Sequence, residues 1–193
     1  MSSHDLDLVA RARQGDRPAF REIVDRHQAD VFHLALGLLA RREDAEDVVQ
    51  EVFIRAYRSL KSFRGEAGLG TWLYRITMNA SRDHQRRHKW MALQESLGVV
   101  PDSARWADRH PDTDPERSTA SREVRRDVGR ALERLSATER RVFVLRHLRQ
   151  LSVRETAQVL GRAEGTVKNL LFRALRKLRA ELAAHRRVEE TPS

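Results

Sequence analysis

The chain has 193 residues, and its 37 lysines and arginines exceed its 28 aspartates and glutamates, which gives a formal net charge of +9. This surplus indicates a polyanionic partner, with nucleic acid ahead of a membrane surface. The absence of cysteine excludes disulfides, thiolate metal sites and cysteine nucleophiles. The N-terminus lacks a signal-peptide pattern and the longest apolar run is too short to cross a bilayer, so we expect a soluble, cytoplasmic protein without membrane insertion.

The periodic stretches of the chain have helical spacing, beginning with the apolar side chains between Phe20 and Leu34. No stretch shows a sustained period of two, so we expect an all-α fold. Residues 93–120 contain three of the five prolines and many Asp, Ser and Thr residues, which predicts a flexible linker. We expect two small helical domains joined by this linker, with the boundaries 1–92, 93–120, 121–187 and a tail over 188–193.

Charge is concentrated in two blocks of the sequence. Residues 61–92 carry a net charge of +5 and residues 121–187 carry +11, whereas the stretch between them carries −3. Two basic blocks are therefore separated by an acidic stretch.

The helix predicted over residues 43–60 has two different faces. Its apolar stripe comprises Ala45, Val48, Val49, Val52, Phe53, Ala56 and Leu60. The opposite side is polar except for Ile54, which lies beside Asp47, Gln50 and Glu51. Isolated exposed aliphatic side chains are common, but an apolar anchor ringed by polar groups is also typical of a protein-docking face.

A glycine-rich loop, "FRGEAGLGTW", precedes the next predicted helix. The inner stripe of that helix is Leu73, Ile76, Thr77 and Ala80. A second side carries Trp72, Arg75, Asn79, Arg82 and Arg86. A tryptophan beside an amide and guanidinium groups can stack on an unpaired base and neutralise phosphates, although a half-buried tryptophan that anchors the domain has the same spacing.

The same helix carries His84 and His88 one turn apart, which is compatible with metal binding. The segment "HQRRH" has no glutamate between the histidines and has three further cations nearby. We therefore expect a solvated basic face here and no metal site.

A helix-turn-helix is predicted in "LSVRETAQVLGRAEGTVKNLLFRALRKLR". Ser152 and Glu155 form a capping-box pattern at the first helix, and Gly161 allows the turn before the second. The outward face of the second helix carries Lys168, Asn169, Phe172, Arg173 and Arg176. These residue types suit guanine, adenine, phosphate and the thymine methyl group, so we expect this face to bind duplex DNA.

Two long segments together resemble a known family. "REDAEDVVQEVFIRAYRSLKSFRGEAGLGTWLYRITMNASRD" is similar to region 2, and "LSATERRVFVLRHLRQLSVRETAQVLGRAEGTVKNLLFRALRKLR" to region 4, of the extracytoplasmic-function (group 4) sigma factors. The resemblance implies a transcription initiation factor that binds core RNA polymerase through its clamp coiled coil and flap, directs it to promoters and assists melting. It also implies duplex and single-stranded promoter DNA as ligands, and an anti-sigma protein as a further partner that no residue identifies.

The resemblance also assigns roles to individual positions. The polymerase-docking segment corresponds to Asp47, Gln50, Glu51 and Phe53, to which face geometry adds Ile54. The positions implied for the melted element are Phe63, Arg64, Trp72, Asn79, Arg82 and Arg86, to which face geometry adds Arg75. The upstream-element readers correspond to Lys168, Asn169, Phe172 and Arg173, and Arg176 shares their face. Leu170, Gly68 and Gly70 depart from residues common in the family, which puts one phosphate contact and the identity of the captured base in question.

An alternative function explains the second half of the sequence equally well. A two-domain helix-turn-helix regulator that does not bind core polymerase also needs a basic recognition helix. It leaves the glycine-rich loop and the polar face around Ile54 without a role. Neither function involves catalysis or a cofactor, so we expect no enzyme activity.

Overall fold

The computed structural model describes residues 3–65, 67–96, 131–132 and 134–189. In these ranges the chain is helical and contains no strand, which confirms the expected fold class. The N-terminal domain consists of α1 (Ser3–Arg13), α2 (Arg17–Leu39), α3 (Arg42–Ser59), a 3₁₀ turn (Leu60–Ser62) and α4 (Leu69–Ser96). The C-terminal domain consists of α5 (Ala137–Phe143), a π-helical turn (Val144–Leu148), α6 (Val153–Leu160) and α7 (Glu164–Glu189).

The first part of the predicted linker is helical, because α4 continues to Ser96 rather than ending near residue 92. The rest of the linker, the start of the second predicted domain and the last residues of the tail lie outside the described residues. No helix in the described ranges is both long enough and apolar enough to cross a membrane.

Local sequence signals set the ends of several helices. The Asp16 side chain caps α2 by accepting a hydrogen bond from the Ala19 backbone N–H at 3.0 Å. Ser136 opens α5 and Ser152 opens α6, each with a reciprocal capping box. Gly161 ends α6 with a φ of +61°, a left-handed conformation that a side chain would strain.

The core of the N-terminal domain includes most of the apolar side chains predicted from helical spacing. The buried members from α2, α3 and α4 include Ile23, Val31, Ala45, Val48, Val52, Phe53, Ala56 and Leu73. These stripes meet because α2, α3 and α4 pack on one another. The polar faces of α3 and α4 are consequently held outward on a fixed scaffold.

A second apolar cluster joins the two domains. It consists of Leu34, Leu38, Tyr74, Met78, Val144, Leu145, Leu151 and Val159. Gly37 lets the π-helical turn approach α2, since a Cβ built there lies only 3.0 Å from Val144 Cγ1. At the edge of the cluster, Arg149 pairs with Asp30. The linker therefore connects two domains that also pack directly against each other.

Candidate nucleic-acid and polymerase interfaces

The outward face of α7 is as predicted. The helix buries Val167, Ala174 and Leu178 on one side. On the other side the exposed residues are Lys168, Asn169, Phe172, Arg173 and Arg176. Phe172 is 67% exposed in the middle of this basic surface, where no neighbouring core accounts for its aromatic ring. The face combines cations, an amide and an apolar contact on one rigid helix, which is the composition of a base-reading surface.

A buried carboxylate fixes α7 to α5 beneath this face. Glu139 is 1% exposed, and its Oε2 accepts hydrogen bonds from Lys177 Nζ at 2.7 Å and from the Ser136 backbone N–H at 2.9 Å. Arg173 Nε lies 3.4 Å from the other oxygen. Burial pushes the pKa of Glu139 upward, but the hydrogen bonds from Lys177 and Ser136 outweigh it and lower the pKa from 4.5 to about 2. Glu139 therefore stays ionised at neutral pH and fixes α7 to α5.

Sequence reasoning missed this role of Glu139. The "SATE" pattern indicates the capping box that Glu139 forms with Ser136 at the start of α5. Its contact with Lys177 spans 38 residues and has no local signal. The result is that Arg173 lies on the outward face and also contributes to the packing of α5 on α7.

The glycine-rich loop forms a concave pocket with the start of α4. The pocket has a volume of about 300 Å³ and is lined by Ser62, Phe63, Arg64, Gly65, Ala67, Thr71, Trp72 and Arg75. Gly65 turns the loop with a φ of +74°. The backbone N–H of Trp72 donates a hydrogen bond to the Gly68 carbonyl at 3.0 Å. An aromatic wall with guanidinium groups at the rim suits a planar base extruded from its stack.

The two aromatic residues of this pocket are not equally accessible. Trp72 is half-buried, and its ring centroid lies 5.1 Å from that of Phe63. Phe63 is only 4% exposed and belongs to the core of the N-terminal domain. The Phe63 ring therefore offers little surface for direct contact with a base. It packs against the Trp72 ring and supports it.

The adjacent surface of α4 carries the remaining predicted residues for the melted strand. Arg75, Asn79, Arg82 and Arg86 are all exposed, as the helical spacing predicted. Asp83 interrupts the cations and pairs with Arg55 at 2.9 Å and with Arg86 at 3.7 Å. The hydrogen bond from Arg55 keeps the pKa of Asp83 below its usual value.

The polar face of α3 is exposed as expected except for Glu51, whereas Phe53, which the family resemblance added to the docking residues, lies in the apolar stripe. Asp47 and Gln50 are exposed, and Ile54 is 45% exposed on the same side. Glu51 is half-buried and accepts a hydrogen bond from Arg55 at 2.6 Å. Phe53 is 8% exposed within the core, which agrees with its place in the apolar stripe and leaves little of its ring for a partner.

The expectation of a solvated face around the two histidines is wrong for His84. His84 is 9% exposed and lies against Asp44 of α3, whereas His88 is exposed. No sequence spacing pointed to Asp44, because it precedes His84 by 40 residues.

Comparison with known families assigns both domains. Residues 23–91 match the family model for Sigma-70 region 2, and residues 125–178 match the model for Sigma-70 region 4. The chain is 38% identical to the ECF RNA polymerase sigma-E factor of Haemophilus influenzae over 178 residues, which cover 88% of the chain and 90% of the relative. It is 36% identical to the ECF RNA polymerase sigma factor SigM of Mycobacterium tuberculosis over 174 residues, which cover 90% of the chain and 82% of the relative.

Two solved structures resemble most of the chain. CnrH, in complex with the cytosolic domain of CnrY, is 28% identical with a TM-score of 0.70, and the match covers 94% of this chain and 99% of CnrH. The sigma factor RpoE, in complex with the anti-sigma factor NepR from Bartonella quintana, is 27% identical with a TM-score of 0.65, over 85% of this chain and 96% of RpoE. The chain therefore belongs to the extracytoplasmic-function sigma factors of the sigma-70 family, which are transcription initiation factors of bacterial RNA polymerase rather than catalysts.

Proposed function

We propose that this sigma factor binds core RNA polymerase, reads one promoter element as duplex DNA and captures bases of a second element as the strands separate. The observation that carries the proposal is that one chain presents two exposed surfaces of different shape, each with a composition that suits nucleic acid. One is the protruding face of α7, with the exposed side chain of Phe172 at its centre. The other is the concave pocket beside Trp72.

The α7 face is proposed to read the upstream element in the major groove. Arg and Lys side chains pair with guanine or phosphate, Asn pairs with adenine, and Phe packs on a thymine methyl group. Lys168, Asn169 and Phe172 are exposed on the same helix. The helix-turn-helix of α6 and α7 supports this assignment, since such motifs place their second helix in the major groove.

The Trp72 pocket is proposed to hold a base that has left the stack. Extrusion of a base costs a few kcal/mol, and stacking on an aromatic side chain recovers about 1–3 kcal/mol. Asn79, Arg82 and Arg86 continue the surface along α4 as contacts for the separated strand. Phe63 has a supporting role in this proposal because its ring is buried behind Trp72.

The exposed face of α3 is proposed to dock on the clamp coiled coil of core polymerase. Ile54 supplies an apolar anchor, and Asp47, Gln50 and Glu51 surround it with polar groups. Interfaces commonly have this arrangement of an apolar centre and a polar rim. Phe53 is assigned to the packing beneath this face, and the flap contact is assigned to the C-terminal domain as a whole.

Control by an anti-sigma protein and action in the cytoplasm are also part of the proposal. RpoE and CnrH, both similar to this chain, have each been solved in complex with another protein, NepR and the cytosolic domain of CnrY respectively. Core polymerase and promoter DNA, the proposed ligands, are cytoplasmic in bacteria.

Run-off transcription with purified core polymerase on genomic fragments tests the proposed function. We expect discrete start sites that require this chain and share two sequence elements upstream.

Gln50→Ala combined with Ile54→Arg should lower core binding without changing the circular dichroism spectrum, because it places a charge on the apolar anchor. Specific DNA binding by the chain alone, without any affinity for core polymerase, would instead support a conventional helix-turn-helix regulator.

A further inference from the structure

A cluster of three potential metal ligands lies between α3 and α4. Asp44 is in the first turn of α3, and His84 and His88 are one turn apart on α4. Asp44 Oδ1 lies 3.1 Å from His84 Nε2 and 3.5 Å from His88 Nε2. One ligand atom from each residue lies within 4.8 Å of the other two.

The two distances from Asp44 Oδ1 to the histidine nitrogens fit the edges of a tetrahedral metal site. With Zn–N and Zn–O bonds of about 2.0–2.1 Å, neighbouring ligand atoms of a tetrahedron are about 3.3 Å apart. The two distances from Asp44 Oδ1 lie on either side of that value. Histidines at i and i+4 on one helix face can also bind the same ion, with the third ligand supplied by another element.

The orientation of His84 does not match a simple hydrogen bond to Asp44. His84 Nε2 is buried and, within the part of the chain that the structure describes, makes no hydrogen bond of acceptable geometry, although Asp44 Oδ1 is 3.1 Å away. A buried ring nitrogen without such a partner is costly, whereas a shared ion between the two groups satisfies both. This orphaned atom is the second, independent indication of a ligand.

The space beside the two histidines leaves room for a fourth ligand. A cavity of about 270 Å³ is lined by Asp47, Val48, Glu51, His84, Arg87, His88 and Met91. The carboxylates of Asp47 and Glu51 oppose the positive charge of Arg87 at this cavity. Two imidazoles and one carboxylate favour zinc and similar first-row transition ions over magnesium or calcium, which prefer oxygen ligands throughout.

We propose that Asp44, His84 and His88 bind one divalent transition-metal ion, of which zinc is the best match, and that the ion ties the start of α3 to α4. The fourth position is open to water. This proposal concerns metal binding alone and does not depend on the assignment of the polymerase or DNA surfaces.

Metal titration of the untagged, metal-stripped full chain tests the site. We expect zinc to bind in a 1:1 ratio by calorimetry and to raise the thermal midpoint, and cobalt(II) to develop the visible absorption bands of a tetrahedral complex. His88→Ala and Asp44→Asn should each weaken zinc binding by more than about tenfold and abolish the cobalt bands. His33→Ala, which removes an exposed histidine elsewhere in the same domain, should change neither.

The Asp44→Asn variant distinguishes the three-ligand site from weaker alternatives. Unchanged zinc affinity in this variant would overturn the proposal, because two histidines on one helix would then account for the binding. The absence of saturable 1:1 binding to the wild-type chain would also overturn it and leave an ion pair between Asp44 and the histidines. Excess magnesium should not compete with zinc, and effective competition would equally contradict the proposed ligand set.

Discussion

The two candidate nucleic-acid surfaces are built in opposite ways. On α7, Phe172 and its charged neighbours project from a rigid helix and contribute little to the core. In the loop pocket, Phe63 is buried, Trp72 is half-buried, and both belong to the packing of the N-terminal domain. A duplex keeps its bases stacked, so its reader must reach into a groove. An extruded base comes to the protein, so its receptor can be a preformed concavity.

This difference predicts how substitutions divide between stability and binding. Removing an exposed side chain of α7 changes DNA affinity and barely affects folding, whereas removing an aromatic side chain of the pocket affects both. The proposed function of α7, apart from Arg173, is therefore separable from the fold, and the proposed function of the pocket is not.

The largest expected effect comes from a matched pair of phenylalanines. Phe63→Ala should lower the free energy of unfolding of the N-terminal domain by about 3–5 kcal/mol, because it leaves a cavity in the core. Phe172→Ala should change stability by less than about 0.5 kcal/mol, since its ring is solvent-exposed. Urea unfolding monitored by circular dichroism measures both variants. Equal losses would remove the proposed distinction between the two surfaces.

The next effect concerns the support beneath α7. Glu139→Gln should destabilise the chain by about 2–3 kcal/mol near neutral pH, because it leaves Lys177 with a weaker partner. The folded-state pKa of about 2 lies below the ordinary 4.5, so the stabilisation is present above pH 4.5 and is lost as the pH falls toward 2.

The pH dependence separates this role of Glu139 from simple packing. The difference in unfolding free energy between the wild type and Glu139→Gln should shrink as the pH falls below about 4.5. Glu155→Gln, at the exposed capping box of α6, is the matched control and should cost less. A difference that stays constant from pH 6 to pH 3.5 would contradict the charged role of Glu139.

An intermediate effect tests the contact between the domains that carry the two surfaces. Arg149→Glu places a negative charge against Asp30 at the edge of the shared apolar cluster. We expect partial separation of the domains and a larger radius of gyration in small-angle X-ray scattering. Arg154→Glu changes an exposed arginine on α6 and serves as the control. An unchanged radius for Arg149→Glu would show that the apolar cluster holds the domains together without this pair.

The smallest expected effect lies on the α7 face itself. Arg176→Ala should weaken promoter binding by the holoenzyme on all sequences and reduce the slope of log affinity against log salt by about one unit, as expected for a lost phosphate contact. Binding titrations between low and moderate salt on two promoters measure this slope. Loss of affinity on only one promoter would make Arg176 a base reader.

Local signals in the sequence predicted much of the fold. Helical spacing placed Val48, Phe53 and Leu73 in the core, and the pattern at Ser152 and Glu155 marked the start of α6. The family resemblance suggested Phe53 as a contact residue, whereas helical spacing placed it in the core, where it lies. The period of a helix indicates directly which side chains are buried.

The features that sequence reasoning missed all depend on residues far apart in the chain. The approach of Gly37 to Val144 joins the domains, the Glu139–Lys177 hydrogen bond fixes α7, and Asp44 meets two histidines 40 or more residues away. No periodic pattern or short motif encodes such meetings, since they follow from how the helices pack. The burial of Phe63 was missed for a related reason, because its loop has no period from which to infer a face.

In the proposed division of labour, the Trp72 pocket acts on unstacked bases and the α7 face acts on duplex DNA. Abortive transcript yield from holoenzyme on duplex and pre-melted bubble templates tests it, with each yield normalised to wild type. Lys168→Ala represents α7, because Arg173 also contacts Glu139 and is a less clean choice. Ile76→Ala controls for loss of N-terminal packing, since Ile76 packs on the same core but does not line the pocket.

In this measurement, Trp72→Ala should lose activity on duplex, because the captured base loses stacking of about 1–3 kcal/mol. It should regain much of that activity on the bubble, where the strands are already separated. Lys168→Ala and Ile76→Ala should show no such specific recovery. Equal recovery of Trp72→Ala and Lys168→Ala, or no recovery of Trp72→Ala, would contradict the division of labour and leave Trp72 as an anchor of the N-terminal domain.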